Sequence, residues 1–133
     1  MKEFVNKFVL FAAAALAPLA LVSPAHADLA LATSKGCMAC HSIDKKIIGP
    51  SYGQVAGCYA TKDAKKLAAT KLMLAKHVKE GGAGTWGPIP MPANPAVAPE
   101  DITKIVDWVM ATPPLECPEK FTELAKAKTA AKP

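Results

Sequence analysis

Cys37-Met38-Ala39-Cys40-His41 places two thiols three positions apart and an imidazole directly after the second. That spacing is the attachment pattern of c-type haem, in which both sulfurs add to the porphyrin vinyl groups and the histidine falls beneath the iron. One short helical turn aims all three groups at a single macrocycle. A Cys-x-x-Cys pair also serves as a thioredoxin-like redox couple or as half of a zinc site. Neither use fits the surroundings: no second Cys-x-x-Cys or paired histidine completes a metal site, and no βαβ pattern encloses the motif.

With His41 on one face of the iron, the opposite face decides the chemistry, because an open position admits ligands and a filled one restricts the site to electron transfer. Met38 lies inside the attachment motif, on the wrong side to reach across, and Met73 and Met110 fall at helical positions where packing accounts for them. Met91 lies in a proline-braced loop fifty residues after His41 and is the favoured distal ligand, with His77 as its main rival. Pro50 offers a carbonyl and no N–H. Its oxygen is the candidate partner for the outer N–H of His41, since a metal-bound histidine usually has its second nitrogen fixed by such an acceptor.

The elements that must position these groups are helical. A short helix is expected over residues 28–35 with Gly36 closing it, a weak one over 51–59 interrupted by two glycines, and a long one from Thr61 or Asp63 to Glu80. Leu67, Leu74 and Val78 recur along the long helix, and Gly81-Gly82 stops it. A glycine- and proline-rich segment follows over 81–99, of the kind that is functional or disordered; Trp86, Ile89 and Met91 argue against disorder. Pro99 then opens a last helix in which Ile102, Ile105, Val106 and Val109 face one way, and Pro113-Pro114 ends it. It should pack against the first helix. There is no internal repeat, strand pattern or phosphate-binding glycine loop, so the fold class is all-α.

Of the 133 residues, 1–27 read as a cleaved secretory signal: Lys2 and Lys7, an apolar run over 8–22, and Ala25-His26-Ala27 as cleavage site. The run falls short of the roughly twenty residues that span a bilayer, so no stable membrane anchor is expected and the compartment is the periplasm. Residues 28–133 carry 14 lysines against 10 acidic residues and no arginine. The missing arginine argues against reading nucleic acid through bidentate base contacts; the lysines suit an acidic protein partner. Cys58 and Cys117 are free to pair after export.

Gly36-Cys37-Met38-Ala39-Cys40-His41, Ile48-Gly49-Pro50, Trp86-Gly87-Pro88-Ile89-Pro90-Met91-Pro92 and Trp108 together resemble the short bacterial class I cytochromes c of the pseudomonad, denitrifier type. The resemblance implies a small cytochrome c fold of three to five helices around one covalent haem over residues 28–114, with 115–133 as a C-terminal extension. It implies haem attachment through Cys37 and Cys40, axial ligation by His41 and Met91, and a Pro50 carbonyl orienting His41. Trp86 would hydrogen-bond a propionate, Asn94 would donate to the methionine sulfur, and His77 would stand near the inner propionate. The activity implied is one-electron transfer by a monomer between redox proteins such as a nitrite reductase, a terminal oxidase or a quinol-oxidising complex, with no enzymatic step. A haem subunit of a larger oxidoreductase and a ligand-binding or peroxidatic haem protein are the alternatives. The stretch from Pro50 to Trp86, the two extra cysteines and the tail depart from the pattern.

Overall fold

Four buried side chains on one helix organise the molecule. In the computed structural model, which describes residues 24–121, Ile102, Ile105, Val106 and Val109 line the inner face of the helix Pro99–Ala111, here α4. Burying each such side chain stabilises the fold by about 1.5–3 kcal/mol. Around α4 pack α1 (Pro24–Ser34), α2 (Tyr52–Cys58) and α3 (Ala64–Glu80), while a 3₁₀ turn over Cys37–Ala39 follows α1. Ile105 and Val109 join Ala32, Tyr52, Val55 and Tyr59 in one core cluster, and Ile102 and Val106 join Val97 in a second. The all-α expectation holds: among the described residues the only strand-like pairing is an isolated antiparallel bridge between Gly82 and Met91.

Local chemistry sets the ends of these helices. Pro99 occupies the first turn of α4, where no backbone N–H is required, and Glu100 and Asp101 complement the positive end of the helix dipole. Asp63 caps α3, its Oδ1 accepting from the N–H groups of Lys65 (2.9 Å) and Lys66 (3.1 Å). Gly81, at φ 79°, ends that helix in a conformation that side chains disfavour. α2 is firmer than its glycines suggest, because Ser51 and Gln54 form a reciprocal capping box. α1 starts at Pro24, ahead of the expected Asp28, so helix runs through Ala27. Its packing residues, Leu31 and Ala32, lie beyond that point. Most of the expected export signal, residues 1–23, lies outside the described residues, as does the tail from residue 122. No described helix is long and apolar enough to cross a membrane.

Two further ties close the fold. Cys58 and Cys117 form a disulfide across 59 positions, which fastens the segment after α4 onto the end of α2. Lys35, at the end of α1, bonds Asp101 in the first turn of α4 at 2.8 Å. The hydrogen bond from Lys35, reinforced by its charge, holds the Asp101 carboxyl below its ordinary pKa. A depressed carboxylate pKa contributes stability above the unfolded-state value and loses it as pH falls through the folded-state value.

Asp101→Asn is therefore expected to be less stable than the wild type at neutral pH, with the gap closing on acidification, as followed by chemical denaturation across a pH series. Replacing Cys58 and Cys117 by serine together should lower unfolding stability by about 2–4 kcal/mol, the usual range for a disulfide, measured by denaturant titration.

Candidate functional site

The 3₁₀ turn lets the attachment motif present several groups to one side. Gly36, at φ 78°, breaks the chain direction after α1, and the backbone N–H groups of Cys40 and His41 both return to the Cys37 carbonyl (3.2 and 3.1 Å). Cys37, Cys40 and His41 line a single cavity, and Met91 lines it as well. Of the four methionines in the described residues, Met91 alone does so; Met38, Met73 and Met110 pack against the main core cluster. Much of the remaining wall is apolar, with Ile48, Val55, Leu74, Ile105, Val106 and Val109 contributing. α4 thus serves the core and the cavity with one face.

His41 is held at an edge and on a face. Its Nδ1 lies 2.8 Å from the Pro50 carbonyl, which fixes that nitrogen as the one carrying the proton. Tyr52 stacks on the imidazole with ring centroids 5.2 Å apart and planes 15° from parallel, and Trp108 meets Tyr52 edge-on at 5.3 Å. Gly49 also crowds the ring: a Cβ there would stand 2.8 Å from Nδ1 and 3.0 Å from Nε2. Its N–H donates to the Cys40 carbonyl at 2.8 Å, so the loop folds back on the motif. Burial pushes the Tyr52 hydroxyl well above its ordinary pKa and, chiefly by the same cause, raises the Cys37 thiol; the two groups hydrogen-bond one another. Tyr52 was not among the residues expected at the site. A single tyrosine at the start of a short, glycine-containing helix carries no periodic signal.

Met91 reaches the cavity from the loop that follows α3. The bridge to Gly82 consists of two hydrogen bonds, Gly82 N–H to the Met91 carbonyl (3.0 Å) and Met91 N–H to the Gly82 carbonyl (2.8 Å). Gly81 permits this closeness, since a Cβ on it would lie 2.7 Å from the Met91 oxygen. The glycine pair that stops α3 therefore also anchors the loop. Asn94 lines the cavity, and its Nδ2 donates to the carbonyls of Val78 (3.2 Å) and Pro92 (3.1 Å). Asn94 thereby braces the loop against the end of α3. A side-chain amide on a tight turn satisfies nearby carbonyls first.

Trp86 and His77 also line the cavity. Trp86 meets Tyr59 edge-on at 6.3 Å, and its carbonyl accepts from Lys46 Nζ at 3.2 Å, which ties the two loops across the mouth. His77, in the last turn of α3, packs its ring near Gly82. Among the described residues no three His, Cys, Asp or Glu side chains gather closely enough to hold a metal ion by themselves. The zinc reading therefore lacks its ligands. A flat apolar group carrying its own metal does fit: two thiols for covalent attachment, an imidazole and a thioether share one cavity with apolar walls.

Comparison with known proteins agrees with this chemistry. The cytochrome c family profile matches residues 29–113. Cytochrome c-551 of Allochromatium vinosum is 41% identical over 100 residues, covering 75% of this chain and 96% of that protein. Cytochrome c-552 of Nitrosomonas europaea is also 41% identical, over 75% of this chain and 89% of its own length. The crystal structure of wild-type Nitrosomonas europaea cytochrome c552 superposes with a TM-score of 0.57 at 37% identity, covering 63% of this chain and 98% of that one. The chain belongs to the cytochrome c family, electron-transfer proteins of small helical fold that bind one covalently attached c-type haem.

Proposed function

We propose that this cytochrome c is a monomeric periplasmic carrier, shuttling single electrons through a haem ligated by His41 and Met91 between respiratory redox proteins, including those of denitrification. The observation that carries this reading is the convergence of Cys37, Cys40, His41 and Met91 on one apolar cavity from two separately anchored loops. When bound, the haem supplies the ferric/ferrous couple. The chain's own residues do the rest. Cys37 and Cys40 would hold the group as thioethers. Pro50 keeps the proton of His41 on Nδ1, so Nε2 is the nitrogen presented for ligation.

Tyr52 and Gly49 limit how far the His41 ring can turn, while the Gly82 bridge limits how far Met91 can withdraw. Side chains held so firmly would need little rearrangement as the bound group gains or loses an electron. The apolar wall and the thioether favour the less charged ferrous state, which raises the potential. Trp86 and His77 stand in the same cavity as candidates for the propionates. At the rim, Ile48 is 50% and Ile89 is 64% exposed, with Lys46 nearby. A small apolar patch of this kind suits the brief, weak contacts of redox encounters. Residues 1–27 are the export signal in this reading. Cleavage after Ala27 leaves Leu31 and Ala32 on α4.

A reduced-minus-oxidised spectrum of the purified protein, with and without carbon monoxide, tests the assignment: a low-spin c-type spectrum unaffected by the gas is expected. Met91→Ala should open the sixth position and let carbon monoxide or imidazole bind at neutral pH. An unchanged low-spin spectrum in that variant would assign the distal ligand elsewhere. Gly49→Ala should displace the His41 ring, lowering stability by about 1–3 kcal/mol, as overpacking does, and shifting the His41 ring resonances in proton NMR.

A further inference from the structure

The segment after α4 is built into the molecule. Residues 113–117 run along α2, where Gly53 and Gly57 form a bare track for them. Leu115 N–H donates to the Gly53 carbonyl at 2.9 Å, a Cβ on Gly53 would come within 2.7 Å of the Leu115 side chain, and a Cβ on Gly57 would collide with the Leu115 carbonyl. The Cys58–Cys117 disulfide locks the segment at the end of that track. The chain then turns, Phe121 N–H donating to the Pro118 carbonyl at 2.8 Å, and lays the Phe121 ring against Trp86 with centroids 4.9 Å apart. Phe121 is 8% exposed. Trp86, in turn, lines the haem cavity.

We infer that Phe121 is a positioning residue for the haem site: the disulfide-locked C-terminal segment presses it on Trp86, keeping the indole in the cavity wall and water out from behind it. The inference rests on the reading of Trp86 as a propionate donor. Tyr59 contacts the same indole at 6.3 Å, and Lys46 holds only the backbone carbonyl, so removing Phe121 leaves one aromatic contact of the two. A loosened indole donates less well to a propionate, and entering water raises the local polarity. The first change leaves propionate charge less neutralised beside the iron, the second solvates the more charged iron state better, and both favour the ferric form.

The test compares holoprotein variants Phe121→Ala, Phe121→Tyr, the double serine variant at Cys58 and Cys117, and Trp86→Phe. Two quantities are read: hydrogen exchange of the indole N–H groups by NMR in the ferrous state, and the midpoint potential. In Phe121→Ala and in the double serine variant, Trp86 indole exchange should quicken tenfold or more while that of Trp108 stays put. The ferric/ferrous ratio at fixed poise should rise twofold or more, and Phe121→Tyr should restore both values. Loss of stability alone, with exchange and potential at wild-type values, overturns the inference and leaves the segment a mere fastening. A potential moved by Trp86→Phe but not by Phe121→Ala overturns the inference while sparing the reading of Trp86. A potential unmoved by Trp86→Phe removes that reading and the inference with it.

Discussion

Two loops with almost no regular structure of their own, one carrying His41 and the other Met91, must both line the cavity that takes the haem. Everything else in the fold serves that constraint. On one side the chain secures His41 with the Pro50 carbonyl at 2.8 Å and a stacked Tyr52. On the other it secures Met91 by exchanging two hydrogen bonds with Gly82, where α3 has just ended. Each loop is thus referred to a helix, and those helices are referred to α4, whose buried stripe of Ile102, Ile105, Val106 and Val109 joins the core and contributes to the cavity wall. A small domain buries only a modest core by itself. A covalent apolar group at its centre therefore completes the interior as well as the chemistry.

The attachment motif was legible because its chemistry demands one spacing, and α3 and α4 because a stripe at helical period, a capping residue and a terminating glycine or proline coincide. What the sequence obscured depends on contacts between distant residues. The glycines of α2 look like interruptions in a weak helix, yet they are the clearance that Pro113 and Leu115 need, and the helix is secured by Ser51 and Gln54. That capping box was present in the sequence as Ser-x-x-Gln and is the signal that would have firmed the helix. Gly81-Gly82 reads as a stop, and its second task of holding Met91 appears only in three dimensions.

Tyr52 escapes a sequence reading because stacking leaves no period. Asn94 shows the converse limit. A position three residues after the candidate ligand identifies the loop, but the direction of an amide depends on which carbonyls lie nearest, and here those are Val78 and Pro92. The disulfide was open for the same reason: two cysteines outside the motif make pairing feasible, and only their proximity, with Cα atoms 4.7 Å apart, decides it.

Four cysteines serving two unrelated purposes set a sorting problem during biosynthesis. In an oxidising compartment they admit three pairings, and loop-closure entropy favours joining neighbours over joining residues 59 apart. Cys117 is also the last of the four to leave the ribosome, so until then Cys58 has only Cys37 and Cys40 to pair with. A nascent chain is thus most exposed to the wrong bridge while the haem thiols are still reactive. In such a compartment, capturing Cys37 and Cys40 on the porphyrin early would remove both competitors at once and leave Cys58 a single choice, so the order of the two maturation reactions would govern the yield of correctly bridged protein.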